Sequence, residues 1–310
     1  MGNIKKIVIL YGGSSSEREV SIKSGEGIYK ACKDLGYYAD LLDLNDLNLN
    51  KPDLLYEFDI VFIALHGFEG ESGKLQKKLD EMGILYTGSN QHACEKTWNK
   101  AKFKNILNLE SISTPRGFSV DRLCKDMDSP FEMFQEKYNQ KVEQLFLKPA
   151  EDGSSVDTFQ INSSDDVEQS FKKALDPNRA FIFEESIKYK EFTVSILDNK
   201  CLPVLEVKYE NDFYDYDAKY ISNETQLNEA NLEDSLKKEI ELLSLEAFNA
   251  VGCTGWGRVD LLQDSKEKFY ILEINTVPGM TSHSCVPKSA ALAGMPYKDL
   301  IKSIIENAVK

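Results

Sequence analysis

Three short apolar runs, each closed by a turn and separated by segments of helical pattern, constrain this chain most. Lys6–Tyr11 (KIVILY) is β-branched and too short for a core helix, and Gly12-Gly13-Ser14-Ser15 closes it. Ser16-Glu17-Arg18-Glu19 reads as a capping box that opens a helix, and Gly36 ends it. Tyr38–Leu44 and Asp59–Leu65 repeat the strand signal, and His66-Gly67 and Gly73 lead into a helix reaching Met82. Short strands alternating with helices predict a parallel α/β sheet, in a unit running to about Ser89.

The remainder of the 310 residues is enough for one or two further units. From Glu95 the pattern predicts a helix over Trp98–Leu109, a strand at Leu145–Lys148, a loop at Glu151–Ser155, a helix over Ser164–Leu175 and a strand at Phe181–Glu184. Asp126–Glu143 is polar and carries no readable period. From Glu185 onward, strands are expected at Phe192–Leu197, Pro203–Val207, Gly257–Gln263 and Lys268–Asn275, with a helix over Leu232–Val251. Glu210–Thr225, rich in Tyr, Asp and Asn, reads as a functional loop.

Composition excludes several classes. No apolar run approaches the ~20 residues that span a bilayer. Met1–Lys6 lacks a signal-peptide apolar region, and Lys6 breaks the myristoylation pattern, so a cytoplasmic protein is expected. Six scattered cysteines without C-x-x-C suit buried, reduced thiols. A net charge of −14 argues against nucleic-acid or anionic-membrane partners. A small anionic substrate would need local lysines or a metal to override that field.

The sharpest constellation is Gly257-Arg258-Val259-Asp260-Leu261 followed by Leu272-Glu273-Ile274-Asn275. Residues two apart on a strand share a face. If Gln263 pairs with Lys268, then Arg258, Asp260, Glu273 and Asn275 all lie on one face. An Asp–Glu–Asn set offers oxygens alone, which suits Mg²⁺ sharing its shell with phosphates. A salt-bridged, solvated strand pair is the equal alternative. The reading needs an even-length turn, because a one-residue slip splits the set.

Other signals are weaker singly. Gly12-Gly13-Ser14 lacks the G-x-G-x-x-G spacing, although Asp43 lies where a ribose-binding acid could sit. Glu17, at a helix start, either caps the helix or binds an ammonium. Lys148–Ser155 (KPAEDGSS) reads as a phosphate loop or an ordinary turn. Lys100 and Lys219 matter only if they converge on it. His66 opens a Gly-bounded loop, where site and structural roles balance, and His92 reads as a surface residue. His283 has no G-x-S-x-G elbow beside it, which disfavours a serine hydrolase.

Together the segments Leu10–Ser24, Leu65–Gln76, Tyr86–Ser89, Lys148–Val156, Glu191–Val194, Phe213–Tyr220, Gly255–Asp260 and Leu272–Pro287 resemble the D-alanine–D-alanine ligases, in that family's order and over nearly the whole chain. The resemblance implies an ATP-grasp fold of class α/β (α+β). A Rossmann-like unit would occupy 1–95, with central and C-terminal α+β units at 96–185 and 186–310 sandwiching ATP. It implies that Lys100, Lys148 and Lys219 contact phosphates, and that Glu184, Glu185 and Ile187 form the adenine-side hinge. Glu191 would bind ribose, and Phe213 and Leu272 would sandwich the base. Asp260, Glu273 and Asn275 would hold two Mg²⁺ ions, with Mn²⁺ as a substitute. Glu17 and His66 would serve the first D-alanine, and Ser284 and the Cys285 backbone the second. Glu17, Ser154 and Tyr220 would latch the loop, while Arg258 and the Gly279 N–H would stabilise the tetrahedral intermediate.

The implied reaction converts the first carboxylate to an acyl phosphate, which the second amine attacks. The family also implies a homodimer in peptidoglycan precursor synthesis. Same-fold ligases making D-Ala–D-Ser or D-Ala–D-lactate, and non-catalytic nucleotide binders, are the alternatives. Depsipeptide-forming relatives tend to carry His where Tyr220 stands, so Tyr220 favours a dipeptide. Ser72 stands where Asp is usual, Asp157 where Gly is usual, and Cys285 where Leu is more common.

Overall fold

The structure, a computed structural model, describes residues 4–49, 53–124, 127–209 and 226–308. Strands β1 (Lys6–Tyr11), β2 (Tyr38–Asp43) and β3 (Ile60–Ile63) form a parallel sheet in the order β2-β1-β3, as the alternation predicts. Helix α1 (Arg18–Asp34) starts later than a capping box at Ser16 would place it. Glu17 occupies the N-cap position without a side-chain cap bond. Gly36, at φ +83°, ends α1, with its N–H on Lys33 O and that of Tyr37 on Cys32 O, a Schellman stop.

Two short helices follow β3: α2 (Phe68–Glu71) and α3 (Lys74–Glu81). The helical run from Gln91 comes in two pieces, α4 (Gln91–Trp98) and α5 (Lys100–Leu109), the second being the helix expected over Trp98–Leu109. Asn99 breaks it: its backbone is extended, and its side chain caps α5 by accepting from Lys102 N at 2.9 Å. The unreadable polar stretch holds α6 (Pro130–Tyr138), with Pro130 in its first turn and Asn139 in the left-handed region after it. Its apolar stripe is narrow, with Phe134 fully buried, so the period is faint.

Strands β4 (Gly117–Val120), β5 (Leu145–Pro149), β6 (Phe159–Ile161) and β7 (Phe181–Glu185) form an antiparallel sheet ordered β4-β7-β5-β6, with α7 (Ser164–Lys173) joining β6 to β7. A third sheet comprises β8 (Lys190–Leu197), β9 (Lys200–Cys201), β10 (Leu205–Lys208), β11 (Gln226–Glu229), β12 (Trp256–Gln263) and β13 (Phe269–Asn275). It runs β11-β10-β8-β12-β13, with β9 beside β8. Helix α8 (Asp234–Ala250) packs on it, and α9 (Cys285–Leu292) and α10 (Tyr297–Asn307) end the chain.

The cores interlock. Ile301, Ile304 and Ile305 of α10 pack in the same cluster as Ile7, Ile9 and Ile28, so the last helix covers the first sheet. Phe103 and Leu107 of α5 join the cluster of the third sheet. The middle sheet keeps its own core, around Phe134, Leu147, Phe181 and Phe183.

Candidate active site

The β12–β13 hairpin brings the polar set together by a different route from the expected one. Gln263 faces Phe269, not Lys268, so the connection Asp264–Lys268 has an odd length and the pairing slips by one residue. A bulge beyond Leu261–Ile271 then slips it once more, and Asp260 faces Glu273 while Arg258 faces Asn275. The extra residue is Leu272. Because of it, Leu272 and Glu273 both line the same cleft, although neighbours on a regular strand point to opposite faces.

Around Asp260 the bonds are dense. Arg258 donates from Nε at 2.9 Å and from Nη2 at 2.7 Å to its two carboxylate oxygens. Thr193 Oγ1 donates to Oδ1 at 2.6 Å and Asn275 Nδ2 to Oδ2 at 3.0 Å. Asp260, Glu273 and Asn275 form an oxygen donor set with two carboxylates. Among the described residues no group of three or more His, Cys, Asp or Glu is placed to hold a metal ion by itself. Such a set fits a hard cation that completes its shell from phosphates or water. Arg258 neutralises Asp260 at the carboxylate edge that faces it.

Between the second and third sheets lies a cleft of about 830 Å³, and Lys100, Lys148, Glu184, Glu191, Asp260 and Leu272 are among its walls. Glu185 and Ile187 also line it. Lys148 Nζ lies 2.7 Å from Glu184, and Lys104 Nζ lies 2.7 Å from its other oxygen. Burial alone would push the Glu184 carboxyl up, but the two ammonium groups hold it at about 2. Lys104 also donates to Thr114 Oγ1 and Pro115 O, at 3.0 and 2.6 Å. Sequence reasoning missed it, although it lies one helical turn beyond Lys100 on the same face of α5. Glu185 turns its carboxylate to Arg116 while lining the cleft. Glu191 accepts from Tyr209 Oη at 3.0 Å. Lys100 donates to Asp152 O, and burial lowers its pKa while Glu273 opposes that.

A second chamber of about 1310 Å³ adjoins it, and Glu17, His66, Arg258, Gly279, Ser284 and Cys285 line it. Lys100, Asp152, Gly153, Ser154 and Glu273 border both. Glu17 reaches in between two glycines: a Cβ at Gly67 would sit 3.1 Å from its Oε2 and one at Gly153 3.7 Å away. His66 is buried, its Nδ1 2.8 Å from Val277 O and its Nε2 3.1 Å from Ser24 Oγ, which accepts from Met280 N. Burial lowers its pKa, with Glu17 opposing, so the ring is a neutral brace between the first sheet and the loop after β13. Glu71, also missed in the sequence, lines this chamber, and burial followed by the Glu17 charge raises its pKa to about 8. Ser284 is the N-cap residue of α9, and its Oγ accepts from Thr281 N at 3.1 Å rather than capping the helix. A Cβ at Gly279 would lie 2.8 Å from that Oγ, so a side chain there would push Ser284 aside.

The turn after β1 is occupied by the chain's own carboxylates. Asp43 is no ribose acid: it pairs with Arg18 at 2.7 Å and accepts from Gly13 N and Asn45 N. The glycine loop is no phosphate cradle either, since Glu69 accepts from Ser14 N, Ser14 Oγ and Ser15 N. Gly12 and Gly13 have φ +78° and +72°, and a Cβ on either would strike Asp43 or Glu69. Ser72 leaves its buried hydroxyl without a hydrogen-bond partner. His92 is exposed, as expected, and His283 is exposed as well. Phe213, Lys219 and Tyr220 lie outside the described residues.

The description "D-ala D-ala ligase C-terminus" matches residues 122–306. A D-alanine–D-alanine ligase from Saccharophagus degradans is 38% identical over 97% of this chain and 93% of its own. This chain belongs to the D-alanine–D-alanine ligase family. Another such ligase, from Actinobacillus pleuropneumoniae, is also 38% identical and covers 97% of both chains. Among solved structures, a Bacillus anthracis D-alanine–D-alanine ligase complexed with ATP superposes with a TM-score of 0.84, at 29% identity over 98% of this chain and 97% of that one. A D-Ala:D-Ser ligase from Enterococcus faecalis gives 0.85 at 22% identity, covering 99% and 100%, and shows the fold alone. The family fold is the ATP-grasp fold, and the two antiparallel sheets that face the 830 Å³ cleft are its two halves. The chain is thus an ATP-binding ligase in its fold and family.

Proposed function

We propose that the protein joins two D-alanines into D-alanyl-D-alanine, with ATP and Mg²⁺, for peptidoglycan precursor synthesis in the cytoplasm. The shared wall between the two chambers carries this reading. Lys100, Asp152–Ser154 and Glu273 border both, so a phosphate held in one lies beside a carboxylate held in the other.

A carboxylate is a poor acyl donor, because attack on it would have to expel oxide. Its phosphorylation by ATP provides a leaving group, and Lys100 and Lys148 neutralise the phosphates during transfer. Asp260, Glu273 and Asn275 would hold Mg²⁺, which would supply neutralising charge to the phosphates. Glu184 and the main chain of Glu185 and Ile187 meet the adenine, Glu191 the ribose and Leu272 the base. Lys219 and Phe213 complete that set by the family resemblance.

Glu17 holds the first D-alanine's ammonium, with neutral His66 fixing the wall beside it. The α9 N-terminus with Ser284 and the Cys285 N–H takes the second carboxylate, since helix N-termini favour anions. Arg258 and the Gly279 N–H receive the oxyanion that forms when the amine attacks. Ser154 and Tyr220 fasten the loop that excludes water. A homodimer, expected from the family, completes this reading.

Phosphate release and dipeptide mass, measured together with D-alanine, L-alanine, D-serine and D-lactate offered separately and as mixtures, test the proposal. D-Ala–D-Ala with D-alanine and no turnover with L-alanine is expected. ATP turnover without that dipeptide would overturn it.

A further inference from the structure

The loop between β5 and β6 forms the shared wall of both chambers, and its backbone is unusual. Ser154, Ser155 and Asp157 have φ +53°, +58° and +50°, a region that side chains disfavour. Such a backbone persists only where its surroundings hold it. One side chain spans the loop. Arg179, between α7 and β7, donates from Nη1 to Asp152 Oδ2 and from Nη2 to Asp157 Oδ2, both at 2.7 Å. Asp157 Oδ2 also accepts from Leu175 N at 2.9 Å. The guanidinium lies over the Phe181 ring, 5.7 Å from its centroid, which fixes its plane. One rigid fork therefore ties both ends of 152–157 to the outer frame. On the inner side, Asp152 O receives Lys100 Nζ and Gly153 approaches Glu17 and Trp98.

We propose that Arg179 is a positioning residue, a clasp that sets the 152–157 loop between the nucleotide and amino-acid chambers and thereby keeps phosphoryl transfer coupled to ligation. This rests on the function proposed above. Without the guanidinium, Asp152 and Asp157 carry unscreened like charges at the two ends of a disfavoured backbone, and the loop swings outward. Lys100 then loses its Asp152 carbonyl anchor, Ser154 leaves the wall, and water reaches the junction where the acyl phosphate must be protected. Asp157, a departure from the family's usual glycine, is the second jaw of the clasp.

The test uses full-length protein with Arg179→Met, Arg179→Lys, Asp157→Asn, Asp157→Gly and the double variant Arg179→Met/Asp157→Gly. Each is assayed for ATP affinity by calorimetry and for the ratio of phosphate released to dipeptide formed, with melting temperature recorded. Arg179→Met should weaken ATP binding and raise the phosphate-to-dipeptide ratio, each at least fivefold. Arg179→Lys should rescue little, because an ammonium cannot bridge two carboxylates as a planar fork does. Asp157→Asn should show a smaller change of the same sign. In the double variant the effects should be less than the product of the singles, since Asp157→Gly removes a carboxylate left unpaired.

A folded Arg179→Met with unaltered ATP affinity and ratio would overturn the clasp, as would independent effects in the double variant. Should Arg179→Met not fold, unaltered coupling and affinity in Asp157→Asn would overturn it equally. If the parent protein forms no dipeptide, the functional reading fails instead, and ATP affinity across the series still decides the clasp.

Discussion

Glu184 keeps its charge where burial opposes it, because two lysines compensate it. If Lys148 turns to a nucleotide, Lys104 remains, held by Thr114 Oγ1 and Pro115 O. Lys104→Met should destabilise the protein by roughly 3 kcal/mol, at the low end for a broken buried pair because Lys148 persists. Urea unfolding checks this, and a loss near zero would refute it. The pH dependence follows from the depressed carboxyl. Stability from Glu184 is fully present above its ordinary 4.5 and is lost as pH falls through that value towards about 2. Glu71 works in the other sense: burial first, then Glu17, raises it from 4.5 to about 8, so its contribution is complete below 4.5 and is lost as pH rises through about 8. Glu71→Gln keeps an acceptor for the Gly67 N–H and cannot ionise, so between pH 4.5 and 8 the parent's melting temperature should fall relative to the variant's. Parallel curves would sink this assignment. Neither Lys104 nor Glu71 was found in the sequence, because burial and the approach of Glu17 and Glu184 are tertiary facts. Arg258, Asp260, Glu273 and Asn275 were legible because they follow the strand period.

The β12–β13 hairpin shows what a period can and cannot say at the scale of one element. The shared face was readable, but its register was not, since turn length and bulge position depend on how Asp264 organises the connection. Asp264 Oδ1 accepts from Lys266 N and Lys268 N, and Glu267 adopts φ +65°. The odd turn alone would have sent Glu273 to the opposite face, and the bulge at Leu272 restores it. That extra residue gives the cleft an apolar wall beside an acidic one. Leu272→Ala should therefore raise the KM for ATP about tenfold, the equivalent of ~1.4 kcal/mol of lost apolar contact, with kcat little changed. Steady-state kinetics at saturating D-alanine and Mg²⁺ decide it; a fall in kcat with KM unaltered would show that Leu272 acts on the reacting groups instead. The break between α4 and α5 belongs to the same class. Asn99 is a good capping residue, yet nothing local says that its side chain will cap Lys102 while its backbone bridges Glu151.

Across the whole molecule, the alternation of strands and helices foretold the first sheet, whereas the partnerships between cores were invisible in the sequence. Helix α10 returns to cover the first sheet, and α5 packs with the third, because those amphipathic helices find their apolar faces only in three dimensions. The middle sheet is different: its core draws only on residues 118–183, and it meets the rest through polar links such as Lys104–Glu184 and Asn99–Glu151. A unit with a small core of its own opens at lower free energy than one interlocked with its neighbours. The proposed nucleotide contacts this sheet through Lys148 and Glu184 and the third sheet through Glu191 and Leu272, so binding ties the independent unit to the interlocked pair. Linkage then predicts stabilisation of about 2.7 kcal/mol at a hundredfold excess over Kd. In hydrogen exchange read by mass spectrometry, peptides from 118–183 should exchange faster than those from β1 and β3 in the free protein. ATP with Mg²⁺ should slow them towards the common rate, and chelation should reverse the slowing without speeding exchange elsewhere. Uniform exchange in the free protein, or a nucleotide effect confined to the first sheet, would show that the cleft does not join these units.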